Sequence, residues 1–358
     1  MVNDGDQTMK TTAQSRNHDR EMSNMQNRNT ETEAHRTAPR SLLLAAFAAI
    51  YLIWGSTYLG IRFAVETIPP FLLGGARFLL AGGILYAWLR FKGVPRPAGF
   101  HWRNAAVVGG LLLGVGNGGV NWAEQRVASS LTALLIAITP LWFVLLDWWR
   151  PHGARPALQT MLGIVVGFAG VAILVGGGNA MRQSAVDLSA AAALMIASIA
   201  WACGSLYARY TPKPDSSFMA GAMQMLAGGA ALVAVGLISG EATRFDLTGI
   251  SVRSAWAVAY LTVVGSLIGF TAFSWLLKVS TPARISTYAY VNPVIAVILG
   301  RAIGSEELTA RILWAAAIIV LAVVIITTRK STPAQVEREA VDPRDTRPER
   351  VPNCIEEA

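Results

Sequence analysis

Charge is scarce in this chain of 358 residues: only 15% are Asp, Glu, Lys or Arg, against about a quarter in soluble domains. The charges that exist crowd into the two ends and a few short loops, which excludes an ordinary water-soluble globular protein. Cysteine is nearly absent. Cys203 sits in an apolar run and Cys354 in the polar C-terminal stretch, so no disulfide framework exists and Cys203 reads as a small packing residue. None of the four histidines falls in the middle of an apolar run, and no H-E-x-x-H, P-loop or G-x-S-x-G pattern occurs. Nothing supports a metal site, a cofactor or a hydrolytic triad. Gly114-Val115-Gly116-Asn117-Gly118-Gly119 matches G-x-G-x-x-G, but a dinucleotide fingerprint must join a strand to a helix, and this one lies inside an apolar run.

What the chain has is hydrophobic length, with 53% hydrophobic residues. Between Leu42 and Thr327 we count about ten apolar runs of roughly 20 residues, each long enough to cross a hydrocarbon core of ~30 Å as a helix. Their cores are 42–64, 70–90, 104–122, 128–148, 157–175, 188–208, 217–238, 254–276, 282–302 and 309–327. The connections are short, which predicts that consecutive helices are antiparallel neighbours. Residues 1–40 and 329–358 are polar, mixed in charge and expected to be disordered cytoplasmic tails. The first tail holds further methionines at 9, 22 and 25 and no apolar h-region, so it does not read as a signal peptide. The net charge of +8 suits loops facing an anionic membrane better than a nucleic-acid partner. Placing both termini in the cytoplasm puts about twice as many Lys and Arg in the inner loops as in the outer ones, the bias that sets topology.

The chain also repeats itself. Gly116, Trp122 and Thr139-Pro140 recur as Gly269, Trp275 and Asn292-Pro293, roughly 150 residues on. Gly55-Ser56-Thr57-Tyr58 answers to Gly204-Ser205-Leu206-Tyr207, and the stretch 74–83 answers to 220–229. Five crossings per copy is an odd number, so the second copy enters the membrane upside down. Inverted repeats with a binding site at their interface are a construction of secondary transporters. The resulting expectation is a first repeat over 41–176 and a second over 186–328.

Several residues stand out against this apolar background. Arg77 lies well inside the second run, where an ionisable side chain marks function or reaches a helix end. Its counterpart is Met223, with Gln224 beside it. Asn117, Asn121 and Glu124 share one helical face; Glu124 is the candidate titrating group, or else a solvated carboxylate at the end of the span. Glu66 and Glu306-Glu307 read as solvated loop residues. Trp54, Tyr58, Trp122, Trp201, Tyr207, Trp275, Tyr288 and Tyr290 recur in part between the halves, and aromatic walls suit an amphipathic organic solute or a cation. Pro140 and Pro293 each remove a helical hydrogen bond, which places bends and a freed carbonyl on the path. Asn292 completes the expected lining. Gly110/Gly114 and Gly163/Gly167 read as close-packing pairs, while Gly116–Gly119 offers a place for a helix to loosen.

These residues resemble a known family. Ile53-Trp54-Gly55-Ser56-Thr57-Tyr58, Pro69-Pro70, Ala76-Arg77-Phe78, Gly116-Asn117-Gly118, Trp201 with Gly204-Ser205, Tyr207, and Tyr288-Ala289-Tyr290-Val291-Asn292-Pro293 are similar to the EamA family of the drug/metabolite transporter superfamily, and Glu306 with Leu308-Thr309 resembles the end of that family's last loop. The resemblance covers about 41 to 328. It implies an all-α integral membrane protein of ten helices in two inverted five-helix repeats, with cytoplasmic termini in the inner membrane. It implies export of small-molecule substrates such as amino acids, related metabolites or drugs, and protons as coupling ion in some members. The first half lacks the Glu that the family often places before a repeat's last helix. A membrane-embedded enzyme or lipid-handling protein needs a reactive pair at membrane depth, which the sequence does not offer. A channel usually relies on rings made by several subunits, which a duplicated chain does not need. The oligomeric state, monomer or dimer, is left open.

Overall fold

A computed structural model describes residues 39–149, 156–175, 187–280 and 288–327. The tail readings at 1–40 and 329–358 lie outside the described residues, except for Pro39 and Arg40, where the first helix begins. Every described element is helical. There are ten long helical segments among the described residues: α1 Arg40–Ala64, α2 Pro70–Phe91, α3 over 99–123, α4 Ser129–Trp149, α5 Leu158–Val175, α6 Leu188–Tyr210, α7 Ser217–Ile238, α8 over 252–279, α9 Tyr288–Ala302 and α10 Ala310–Thr327, with two short turns of helix, Glu241–Arg244 and Leu247–Gly249, between α7 and α8. Seven stretches are both long and apolar enough to cross a membrane unaided. The exceptions are α3, whose first turns hold His101, Arg103 and Asn104, and α9 and α10, whose apolar stretches are Val291–Ala302 and Ala310–Ile325.

The helix starts follow local chemistry. Pro70 occupies the first position of α2, where its missing N–H costs nothing. Asp187, Ser216 and Ser251 cap α6, α7 and α8 with their own side chains. Two helices of the first repeat are capped from the second. Glu241 accepts from the N–H of Phe71 at 3.1 Å and Leu72 at 2.9 Å. Glu306 accepts from Ser129 N–H and Ser129 Oγ, both at 2.7 Å, and from Ser130 N–H at 3.1 Å. The solvated reading of Glu306 is therefore corrected: a carboxylate finds better donors in the free amides of a helix N-terminus than in a loop.

Consecutive helices are not the main neighbours, contrary to the expectation from the short loops. The closest pairings run between the repeats: α2 with α7, α5 with α10, α1 with α8 and α9, α6 with α3 and α4. The last two sets are the same pairing with the repeats exchanged, the self-complementary pattern of a two-fold. The direction of the helices is read from glycine. A Cβ on Gly75 would lie 3.2 Å from the carbonyl oxygen of Gly229, and one on Gly82 would lie 3.0 Å from that of Ala222. Numbers rise along α2 as they fall along α7, so these equivalent helices are antiparallel. Gly167 against Ala322 and Gly170 against Ile319 show the same for α5 and α10. The second repeat is thus inverted relative to the first.

The small residues that permit this approach are not all the expected ones. Gly110 has open space around it, and its neighbour Gly109 instead meets Gly228 and the Gln224 carbonyl. A second feature was not anticipated. Both α3 and α8 contain a π-helical stretch, Gly110–Asn117 and Leu261–Ile268, at matching places in the two repeats. The first is glycine-rich and the second is not; the glycine they share is at the fifth position, Gly114 and Gly265. Wide turns of this kind are frequent at functional sites.

Candidate functional site

Four helices from each repeat, α1–α4 and α6–α9, enclose a cavity of about 400 Å³. The helices α5 and α10 pack on each other outside it. Each repeat therefore supplies half of the wall, and the cavity exists only where the two meet.

Its walls are aromatic. Trp54 packs against Phe273 with ring centroids 5.0 Å apart and meets the edge of Tyr288 at 5.2 Å. Phe270 adjoins Phe273, and Tyr58, Phe78, Phe143 and Trp201 line other sides. Gly116 makes room for Trp201: a Cβ there would lie 3.1 Å from the indole.

Arg77 is the one formally charged residue on the wall among the described residues. Its side chain is 5% exposed and no described carboxylate forms an ion pair with it. Nε donates to Ser266 Oγ at 2.9 Å, and Ser266 Oγ donates to the Leu261 carbonyl at 3.0 Å. Both residues belong to the π-helical stretch of α8, so the wide turn of one repeat holds the cation of the other. The Phe78 ring lies 4.8 Å from the guanidinium carbon. Two amide oxygens, Asn117 Oδ1 and Asn292 Oδ1, are buried without a partner, and both residues line the cavity. A lone cation beside unpaired acceptors in an apolar pocket has unsatisfied demand for an anion and for N–H donors.

Among the residues singled out by sequence, Trp54, Tyr58, Arg77, Asn117, Trp201, Tyr288, Asn292, Pro140 and Pro293 meet at the cavity. The structure places the others elsewhere. Asn121, on the same helical face as Asn117, donates from Nδ2 to the Pro70 carbonyl at 3.1 Å, because the start of α2 closes over the helix at that level. Glu124 is wholly buried beyond it, so the reading of a solvated carboxylate is corrected. Trp122 lies under the Arg126 guanidinium at 3.9 Å. Tyr207 donates to Asn104 Oδ1 at 3.3 Å. Gln224 presents its carbonyl to Gly109, and Trp275 packs on Ala46, Ile50 and Leu276. The side chain of Tyr290 lies outside the described residues.

The two prolines act differently. Pro140 interrupts α4 between Ile136 and Thr139, and the carbonyl four residues before it, that of Ile136, accepts from Thr139 Oγ1 at 2.6 Å. The freed carbonyl is thus satisfied locally. Pro293 sits inside a continuous helix, and the residue four before it, Ala289, lines the cavity. Ser266, Phe143, Phe270 and Phe273 were missed. A single Ser in the apolar run Leu261–Ile268 was the available signal for the first; the phenylalanines have no polar mark to separate them from core.

The fold and the cavity define a duplicated helical membrane protein with a solute-sized chamber between inverted halves. The model of the EamA-like transporter family matches residues 40–176 and 188–328, and the chain belongs to that family. It is 41% identical over 291 residues to the uncharacterized inner membrane transporter YedA of Escherichia coli (strain K12), covering 80% of this chain and 91% of that one. It is 27% identical to an uncharacterized transporter of Archaeoglobus fulgidus, over 69% of this chain and 84% of that one. A crystal structure of a protein matches with a TM-score of 0.54 at 22% identity, covering 81% of this chain and 98% of that one, a likeness of fold.

Proposed function

We propose that this membrane transporter is a secondary exporter of the inner membrane, with both termini cytoplasmic. It moves small organic solutes that carry a carboxylate on an apolar body, amino acids and related metabolites or drugs of that chemistry, by alternating access between its repeats. The observation that carries this reading is Arg77, buried with no counter-ion among the described residues, on an aromatic wall whose described lining holds no carboxylate. A solute's carboxylate would complete the guanidinium with charge-assisted hydrogen bonds, and its N–H groups would satisfy Asn117 and Asn292. An organic cation would meet the Arg77 charge unscreened, so the cationic class left open by the aromatic residues is the weaker fit. Exchange of the two equivalent halves supplies two access states of similar energy.

The test is growth of overexpressing cells on toxic amino-acid analogues, aromatic acids and cationic drugs. Protection is expected against the carboxylate-bearing compounds alone, and Arg77→Gln should remove it at an unchanged membrane level. Losing one partner of a buried charge pair costs about 2–5 kcal/mol, so apparent affinity should fall by about 30-fold or more. Equal protection against cationic drugs, or full protection by the variant, would overturn the reading.

A further inference from the structure

Glu124 is the charged residue that the solute cavity does not use. It lies in the turn just past Ala123, the last helical residue of α3. It is 0% exposed, and both carboxylate oxygens are buried without a hydrogen-bond partner. Three charged or titratable groups act on it, two from α1 and one from the loop between α9 and α10. Arg62 on α1 donates to the Glu124 main-chain carbonyl, not to its carboxylate. Glu306, between α9 and α10, is engaged in capping α4. Tyr58 on α1 is within electrostatic range of Glu124 and also lines the cavity. Farther out, Arg126 pairs with Asp187 at 3.8 Å and Arg253 with Glu66 at 3.4 Å, so these cations are already engaged.

A carboxylate enclosed in this way does not keep its charge. Burial comes first and the Glu306 charge second in lifting its carboxyl well above the usual range, against the smaller pull of Arg62. The same end of the bundle is closed by contacts between repeats: Glu306 on α4, Glu241 on α2, and Ser254 Oγ donating to the Phe63 carbonyl at 2.8 Å.

We propose that Glu124 is a proton-binding site that locks this face: the closed face holds Glu124 as the neutral acid, and opening releases the proton to water. One O–H bond breaks, the proton passes to solvent, and the carboxylate left behind pairs with Arg62. The sign follows from linkage. The closed state binds one proton more than the open state, so raising the pH favours opening, by at most about tenfold per pH unit. The effect operates between the ordinary Glu value, about 4.3, and the raised value of the enclosed acid. The lock rests on the alternating-access reading, and Tyr58 places it next to the solute chamber, so solute binding and proton release are adjacent events.

The test needs no transported solute. Infrared spectroscopy of the purified full chain should show a carboxylic-acid carbonyl band at neutral pH that Glu124→Gln removes and Glu124→Asp retains. In a chain with Cys203 and Cys354 replaced by Ser, Val127→Cys reports opening of the shielded turn, and Ala302→Cys reports an exposed site. The ratio of their labelling rates by a charged maleimide cancels the ionisation of the thiol itself. That ratio should rise with pH when Glu124 is present and stay flat in Glu124→Gln. Absence of the acid band in the unmutated chain, or the same slope in both backgrounds, overturns the proposal. Neither readout depends on what Arg77 binds, so failure of the solute reading is seen separately in the growth test.

Discussion

The two repeats are alike where they touch and unlike where they carry charge. Both place a π-helical stretch in their third helix, both set glycine against the partner's backbone, and both give four helices to the chamber wall. Yet Arg77 of the first repeat answers to Met223 of the second, which is wholly buried. The reason is packing. Arg77 faces the cavity and the Ser266 hydroxyl, whereas Met223 sits in an apolar cluster with Phe78, Ala81 and Met225. Symmetry builds the scaffold; the departures from symmetry give the chamber its chemistry. A duplicated chain is free to do this, because each half can change without the other.

The comparison breaks most sharply when the charge is moved. Met223→Arg with Arg77→Met transfers the cation to the other repeat. An unpaired charge in a packed core costs about 3–5 kcal/mol, so the double variant should largely disappear from the membrane, while Arg77→Met alone should remain at near-normal level without transport. Quantitative blots of membrane fractions decide it. The next effect concerns the glycine contacts. A Cβ on Gly228 would stand 2.6 Å from the Gly109 carbonyl oxygen, whereas one on Gly83 meets nothing within 4 Å. Gly228→Val should lower stability by about 1–3 kcal/mol through overpacking, and Gly83→Ala should change it by less than about 1 kcal/mol, in the stabilising direction. Thermal denaturation of the purified proteins separates them. The smallest effect concerns the caps supplied across the repeats. Glu241→Ala removes the acceptor for two free amides of α2 and should cost about 1 kcal/mol, measured as a drop in the midpoint of thermal unfolding; an unchanged midpoint would mean that the cap contributes nothing to holding the repeats.

The helices were legible because a membrane solvent demands them: each run of apolar residues must satisfy its own backbone. The duplication was legible from Gly116, Trp122 and Pro140 with their later copies, and the odd number of crossings implied the inversion that Gly75 and Gly229 display. The π-helical stretches were not legible, since GLLLGVGN and LTVVGSLI share only the glycine at their fifth position, and one glycine in an apolar run does not mark a widened helix. The aromatic lining was half legible. Trp and Tyr stand out in an apolar run, but Phe143, Phe270 and Phe273 are indistinguishable from residues that merely pack. Trp122 and Trp275 carried the repeat signal and yet lie away from the chamber, because landmarks shared by two halves report common ancestry of structure as readily as a common site.

By itself the sequence determined the solvent, the number of crossings, the family and the unusual residues Arg77 and Glu124, for these depend on composition and order along one dimension. Only the tertiary structure decided which neighbours those residues have. Arg77 finds Ser266, 189 positions away, and so becomes a supported cation at a chamber. Glu124, seven positions after Asn117 on the same face, is shut in with no hydrogen-bond partner of ordinary geometry for either carboxylate oxygen and becomes an enclosed acid. Charge in a membrane protein is set by what surrounds it, and in this chain part of those surroundings comes from the other repeat: Ser266 for Arg77 and Glu306 for Glu124.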